Sequence, residues 1–168
     1  CLKNKGPAVR FCLWPQMDNN LNFGRKLLLQ KFDNFCSKQN FPKNLTIAIV
    51  GGSRDEPELE IIKKYTNIEK ISVFGIDTQS DKYFDLNTKN KNNEFINFDF
   101  IICAQVIEHI WNVNEFFINL KSLCNNNTIL YINCPKSNME HGSPEYFSSG
   151  YSVKFLEKNF FSFLPDKS

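Results

Sequence analysis

The stretch FDFIICAQVIEHIWNVNEFFINLKSLCNNNTILYINCP, residues 98–135, decides the fold. Its first seven residues form an apolar run with the length of a strand that is buried on both faces. The middle part has helical spacing, with apolar residues at positions 113, 116, 117, 120, 123 and 124. After the polar turn NNN, the run TILYINC predicts a second buried strand that ends before Pro135. A strand, a helix and a strand in this order predict parallel pairing.

The same alternation continues toward the N-terminus. Further strands are predicted at 45–50, 70–77 and, in a short form, 82–87. Further helices are predicted at 21–39, 53–65 and 151–160. Buried strands that alternate with helices indicate an α/β fold on a doubly wound, mainly parallel sheet. With 168 residues, 42% of them hydrophobic, the chain has the size of one domain with a substantial core.

Charge and composition argue against several classes of partner. The chain has 20 basic and 18 acidic residues, scattered along its length, so no basic patch predicts contact with nucleic acid or a membrane surface. The apolar runs are shorter than a membrane span, and the first residues lack the architecture of a signal peptide, so we expect a cytoplasmic protein. Six cysteines without CxxC spacing predict reduced, buried thiols, and we expect no metal site.

In an open parallel sheet, a ligand binds outside the carboxyl ends of the strands. The residues there include Gly51, Gly52 and Ser53 after one strand, Asp77 and Asp85 after two others, and Gln105 and Val106 after the strand at 98–104. A glycine pair after a strand is equally often a plain turn, so this pattern alone leaves both interpretations open.

The charge near the glycine turn narrows the choice of ligand. Asp55, Glu56 and Glu58 stand there against a single Arg54, which disfavours a pyrophosphate and hence a dinucleotide. A nucleoside that carries a sulfonium and an ammonium group instead of phosphates would tolerate this environment.

These residues resemble those of the class I S-adenosylmethionine-dependent methyltransferases, in particular the group called methyltransferase type 11 or 12. IAIVGGSRDEPEL resembles the family's glycine-rich first motif, and FGID resembles the second, which implies that Asp77 binds the ribose hydroxyls. FDLN resembles the segment whose acid, here Asp85, lies near the adenine amino group. Residues 98–135 resemble the fourth and fifth motifs, which makes Gln105 and Val106 neighbours of the cofactor.

The resemblance covers about 45–134, with a weaker tail to 160, and we predict one domain over 1–168 with three parts. Residues 1–42 form an N-terminal covering segment and helix, 43–134 the cofactor-binding core, and 135–168 a substrate-side loop and C-terminal helix. It also implies an S-adenosylmethionine-dependent methyltransferase that acts on a small molecule. The segment HGSPEYF is similar to methyltransferases of sugar and cell-surface polysaccharide pathways, which favours a precursor of that kind as the acceptor.

Two histidines are candidates for catalysis if the acceptor is a hydroxyl, which needs a base. His141 follows the predicted strand 128–134 and is the preferred base or acceptor contact, although a surface-loop histidine is a simpler interpretation. His109 is the second candidate, but with Glu108 it is better interpreted as ordering the entry to the helix. A metal site at this pair would need His141 or Asp85 as a further ligand, and we do not predict one.

Two departures from the family keep other functions open. Ile49 stands where the family usually has an acid. The sequence also stops before the two further strands that usually complete the family's sheet, so either that edge is lost or the chain is truncated. Both fit a methyltransferase-like binding domain that has lost catalysis. A nucleotide-dependent oxidoreductase is the third alternative, opposed by the acidic turn and by the spacing of Tyr151 and Lys154, one position short of YxxxK.

Overall fold

The computed structural model describes residues 8–14, 21–90, 97–135, 151, 154–156 and 158. Residues 136–150, which include His141 and the HGSPEYF segment, lie outside these residues, so the predictions made for them are not addressed by the structure. Of the predicted helix at 151–160, residues 154–156 and 158 are helical.

Six strands form one sheet, and helices cover both of its faces. The strands are β1 (Ala8–Trp14), β2 (Asn44–Val50), β3 (Asn67–Gly75), β4 (Lys82–Tyr83), β5 (Phe98–Ala104) and β6 (Cys124–Pro135). The helices are α1 (Leu21–Cys36), α2 (Pro57–Ile62) and α3 (Val113–Ser122), with a 3₁₀ turn at Ile107–His109. The strand order is β1-β6-β5-β2-β3-β4, and all five strand pairs are parallel. The predicted doubly wound parallel sheet is confirmed.

Alternate side chains of the central strands enter two separate hydrophobic clusters. On one face, Ile47 and Ile49 of β2 pack with Phe32 of α1 and Ile62 of α2. On the other face, Ala48 and Val50 of β2 belong to the cluster that contains the buried side of α3. Because a strand points successive side chains to opposite faces, a continuous apolar run is what a strand between two layers of helices requires.

Several predicted boundaries differ from the observed ones. Helix α2 is shorter than the predicted 53–65, because the residues before Pro57 form the turn that leaves β2. Strand β4 keeps only two residues of the predicted 82–87. The polar residues 125–127, predicted as a turn, fall within β6, where the pairing with β5 is irregular and side chains of the segment bond its own backbone.

Strand β1 was not predicted. The sequence AVRFCLW lies between two prolines and was assigned to a covering segment, yet it pairs with β6 from Ala8 opposite Ile129 to Trp14 opposite Pro135. It therefore occupies the sheet edge beside β6. The pattern of seven residues did not reveal its place, because pairing with β6 is a contact across more than a hundred residues.

The order of the strands reverses between β2 and β5. From β2 the chain proceeds outward through β3 to β4, then returns to β5 on the other side of β2 and continues to β6. At this reversal the helices that follow β2 and β5 cover opposite faces of the sheet, and ligands of open parallel sheets bind in a crevice at such a point. Among the described residues, no helix has the length and apolar character needed to cross a membrane.

The role of β1 can be tested by removing residues 1–14, which would leave β6 at the edge of the sheet. We expect faster hydrogen exchange at the β6 amides that face β1, because they lose their backbone acceptors. Amides of β2, which is paired on both sides, should keep their protection. The measurement is hydrogen-deuterium exchange with peptide resolution. Unchanged protection of β6 in the shortened chain would contradict the observed pairing.

Candidate functional site

The turn after β2 lies directly against the loop after β5. Gly51 has a φ of +71° and donates a backbone hydrogen bond to the Phe74 carbonyl at 2.8 Å. A Cβ atom at Gly51 would lie 2.7 Å from Cγ2 of Val106. Both the left-handed backbone and the close contact require glycine here. The fold thus brings together two residues, Gly51 and Val106, that the sequence predicted to line one site.

The second glycine lies beneath a carboxylate. A Cβ atom at Gly52 would lie 2.6 Å from Oε1 of Glu56 and 3.0 Å from Cγ2 of Ile49. The Ser53 hydroxyl accepts a hydrogen bond from the Asp55 amide at 3.2 Å, so it orders the turn itself. Glu56 was noted from sequence only as part of an acidic helix start, and its position over Gly52 required the structure.

The end of β5 is fixed by an unusual backbone conformation. Gln105 has a φ of +57°, although it is not a glycine. Its backbone amide donates to the Asn133 carbonyl at 2.8 Å, and its side-chain amide donates to Oδ1 of Asn133. Such a conformation costs free energy and is concentrated at functional sites. Asn133, a polar residue in the otherwise apolar end of β6, was not among the predicted site residues, although that exception was visible in the sequence.

Asp77 follows β3 on the same edge of the sheet and is exposed. Its Oδ1 atom accepts hydrogen bonds from the Gln79 amide and the Ser80 hydroxyl, both at 2.9 Å. The two hydrogen bonds that the carboxylate receives from described residues therefore go to the same oxygen. Asp77 itself follows the carboxyl end of β3, the strand that pairs with β2.

Asp85 lies in a segment that hydrogen bonds attach to helix α3. Its Oδ1 accepts from the Asn87 amide at 2.9 Å. The buried Asn119 of α3 donates through Nδ2 to the carbonyls of Leu86 and Thr88 at 3.3 and 2.9 Å, and more weakly to that of Asp85 at 3.4 Å. The segment after β4 is thus held to the helix that follows β5, which keeps Asp85 in a fixed position.

The Glu108–His109 pair occupies the 3₁₀ turn at Ile107–His109. Glu108 is 2% exposed. Burial is the main cause that raises the pKa of the Cys103 and Cys134 thiols, and the charge of Glu108 is the second cause. Glu108 therefore lies near the side chains of β5 and β6 that pack on the α3 face. His109 is half-buried, and its backbone amide donates to the Val106 carbonyl at 2.9 Å. The catalytic roles considered for His109 and His141 stay predictions.

A small cavity of about 110 Å³ opens beside the glycine turn. Its polar lining comprises Arg25 of α1, Glu56 and Glu58 at the start of α2, Gln105 after β5, and Asn133 of β6. Glu58 is 3% exposed, and burial raises the pKa of its carboxyl. In the part of the chain that the structure describes, no group of three or more His, Cys, Asp or Glu side chains is arranged to hold a metal ion.

No protein-family model matches the chain, and no curated protein matches it in sequence. Among solved structures, the chain is similar to coclaurine N-methyltransferase bound to N-methylheliamine and SAH, with 13% sequence identity and a TM-score of 0.49. The alignment covers 72% of this chain and 39% of that one, so the chain spans about two-fifths of that protein's length. The function proposed below therefore rests on the chain's own residues.

The contact between Gly51 and Val106 can be tested by Gly51→Ala. The left-handed backbone alone should cost about 1–2 kcal/mol of unfolding free energy, and the contact with Val106 should add to this. Adding Val106→Ala should relieve only the second part, so that the double variant loses less than the two single variants together. Chemical denaturation of the four proteins measures this coupling. Strictly additive losses would show that the two loops do not touch.

The anchoring of the Asp85 segment can be tested by Asn119→Leu, which keeps the approximate size of the side chain and removes its amide. The carbonyls of Leu86 and Thr88 would lose a buried donor, at a cost of about 1–3 kcal/mol. Asn114→Leu, at an exposed position of the same helix, is the matched control and should change stability little. Equal effects of the two substitutions in thermal denaturation would contradict the anchoring.

Proposed function

We propose that the chain is an S-adenosylmethionine-dependent methyltransferase that acts on a small molecule. The observation that supports this most is the contact of Gly51 with Val106 at the point where the strand order reverses. It unites the residues of two separate motifs in one crevice, with Asp77 at the end of the neighbouring strand. Within this proposal, Gly51, Gly52, Ser53, Asp77, Asp85, Gln105 and Val106 bind the cofactor.

The charge of the crevice supports a cationic ligand without phosphates. Arg54 is the cation within the sequence of the glycine turn, and its guanidinium already bonds both carboxylate oxygens of Asp81, at 2.8 and 2.6 Å, and the Ile71 carbonyl. It is therefore committed within the protein, while Glu56 lies over Gly52. A pyrophosphate would meet negative charge here, which disfavours a nicotinamide dinucleotide and the oxidoreductase alternative.

The chemistry requires little from the protein beyond position. S-adenosylmethionine supplies a methyl group on a sulfonium, which is already an activated leaving group. The chain's residues would hold the nucleoside and the acceptor in line and exclude water, which by itself accounts for a large part of such a rate enhancement. For a hydroxyl acceptor, His141 or His109 would remove the proton. Both roles belong to the proposal.

The acceptor and the setting are also part of the proposal. The HGSPEYF segment supports a sugar or a cell-surface polysaccharide precursor as the methyl acceptor. The balanced charge supports an enzyme that acts on small molecules and not on nucleic acid or a membrane surface, and a cytoplasmic location is part of the proposal.

A second candidate is a methyltransferase-like domain that binds the cofactor without transferring the methyl group. The observation that favours it is the position of Ile49, which is 1% exposed and packs in the cluster shared with α1 and α2. An apolar side chain thus fills the place of the family's usual acid. Binding of cofactor without methyl transfer to any acceptor tried would support this alternative.

The test of the proposal is calorimetric titration with S-adenosylmethionine and S-adenosylhomocysteine. Asp77→Asn retains an oxygen for the turn bonds to Gln79 and Ser80 but removes the charge, and we expect about 10-fold to 100-fold weaker binding of both ligands. Glu69→Gln, an exposed substitution at the opposite end of β3, is the control and should bind as the unaltered protein does. If the unaltered protein binds neither ligand, the proposed function is refuted.

A further inference from the structure

We propose that the cavity between α1, the start of α2 and the ends of β5 and β6 binds a primary ammonium group, with Glu58 as its main acceptor. The rest of the ligand would lie in the crevice at Gly51 and Val106, and in this respect the inference rests on the proposed function. The ammonium group could belong to the cofactor or to a separate amine that accepts the methyl group. The cavity fits an ammonium group from either source, and the binding measurements below separate the two.

The state of Glu58 provides the first argument. Its side chain lines the cavity and is 3% exposed, and Oε2 accepts no hydrogen bond from the described residues. The carboxylate interacts with the backbone amide of its own residue, and that interaction lowers its pKa less than burial raises it. A buried carboxylate oxygen without a donor is costly to the folded state. A cationic ligand that donates hydrogen bonds would remove this cost.

The charge of the lining provides the second argument. Glu56 and Glu58 line the cavity with one cation, Arg25. Arg25 is exposed, and its Nη2 atom lies 3.9 Å from Oε2 of Glu56. That distance exceeds a hydrogen bond, so the guanidinium attracts Glu56 only through space. Arg25 is also the smallest of the influences on the pKa of Glu58, and the negative charge of Glu56 opposes it. The cavity therefore keeps unbalanced negative charge.

The size and the acceptors of the cavity select the cation. A volume of about 110 Å³ accommodates a group of a few non-hydrogen atoms. An ammonium group donates three hydrogen bonds, and acceptors are available on Glu58, Glu56 and the side-chain oxygen of Gln105, whose nitrogen already donates to Asn133. The described residues offer no third His, Cys, Asp or Glu for a metal ion at this place. A small organic cation is the chemistry that fits.

Two residues link the lining of the cavity to the proposed cofactor site. Glu56 lines the cavity and lies over Gly52, and Gln105 lines the cavity and precedes Val106, the neighbour of Gly51. A ligand in the crevice could therefore place a terminal amine beside Glu58. This arrangement gives the acidic residues at the start of α2 a role in ligand binding, in addition to their favourable interaction with the positive end of the helix dipole.

The test variant is Glu58→Gln, with Glu60→Gln, an exposed glutamate of the same helix, as the control. The pKa of Glu58 is raised in the folded protein, so the ionised carboxylate lowers the stability of the fold at pH values above the range in which carboxyl groups usually titrate. Glu58→Gln should therefore raise the melting temperature at neutral pH. The gain should shrink as the pH falls toward 4.5, the ordinary pKa of the group, since the native carboxyl then becomes protonated. Glu60→Gln should show no such gain.

Binding measurements then assign the source of the ammonium group. If it belongs to the cofactor, Glu58→Gln should bind S-adenosylmethionine about 10-fold more weakly. The variant should bind 5′-methylthioadenosine, which lacks the ammonium group, as the unaltered protein does. If it belongs to a separate amine, cofactor binding should be unchanged, and the variant should lose the binding of methylammonium to protein saturated with S-adenosylhomocysteine, followed by nuclear magnetic resonance.

The inference and the proposed function fail in different ways. If Glu58→Gln changes neither the affinity for S-adenosylmethionine nor the binding of methylammonium, the cavity is not an ammonium site. If the unaltered protein binds neither S-adenosylmethionine nor 5′-methylthioadenosine, the proposed function is contradicted. In that case, methylammonium titration of the unaltered protein and of Glu58→Gln still tests whether the cavity binds an ammonium group. Equal binding to both proteins, or undetectable binding to both, would overturn the inference.

Discussion

The pairing of β2 with β5 is the constraint on which the rest of the structure depends. These strands are joined in the register Ile47 opposite Phe100 to Ile49 opposite Ile102. At their amino ends, the half-buried Asp99 carboxylate accepts hydrogen bonds from the amide and hydroxyl of Thr46, at 2.8 and 2.7 Å. The Thr46 hydroxyl in turn accepts from the Asp99 amide at 3.2 Å.

This side-chain clamp lies where the regular pairing is interrupted. The register of β2 with β3 shifts between Leu45 and Thr46, and that of β5 with β6 shifts between Phe98 and Phe100. A shift of one residue between β2 and β5 would turn each apolar side chain to the other face of the sheet. It would also separate Gly51 from Val106 at the far end, so the same register sets both the core and the site.

Among the described residues, unusual backbone conformations and buried carboxylates lie mainly at the carboxyl edge of the sheet. Gln105 has a left-handed backbone, Gly51 allows a contact that a side chain would forbid, and Glu58 is a buried carboxylate. The Gln105 backbone and the buried Glu58 carboxylate cost stability, and the two hydrophobic clusters supply the free energy that tolerates them. Their concentration beside the crevice is the physical reason to assign function to this edge and not to the opposite one.

The sequence by itself determined the layers of the fold, because continuous apolar runs with strand length and helical stripes such as Phe116, Phe117 and Leu120 are local patterns. It also indicated which residues end the strands, and hence Gly51, Asp77 and Val106 as candidates. Tertiary structure alone decided the place of β1, the position of Glu56 over Gly52 and the burial of Glu58. Those features depend on contacts between segments far apart in the chain, and a glutamate at the start of a helix has the same local pattern whether solvent or a cavity surrounds it.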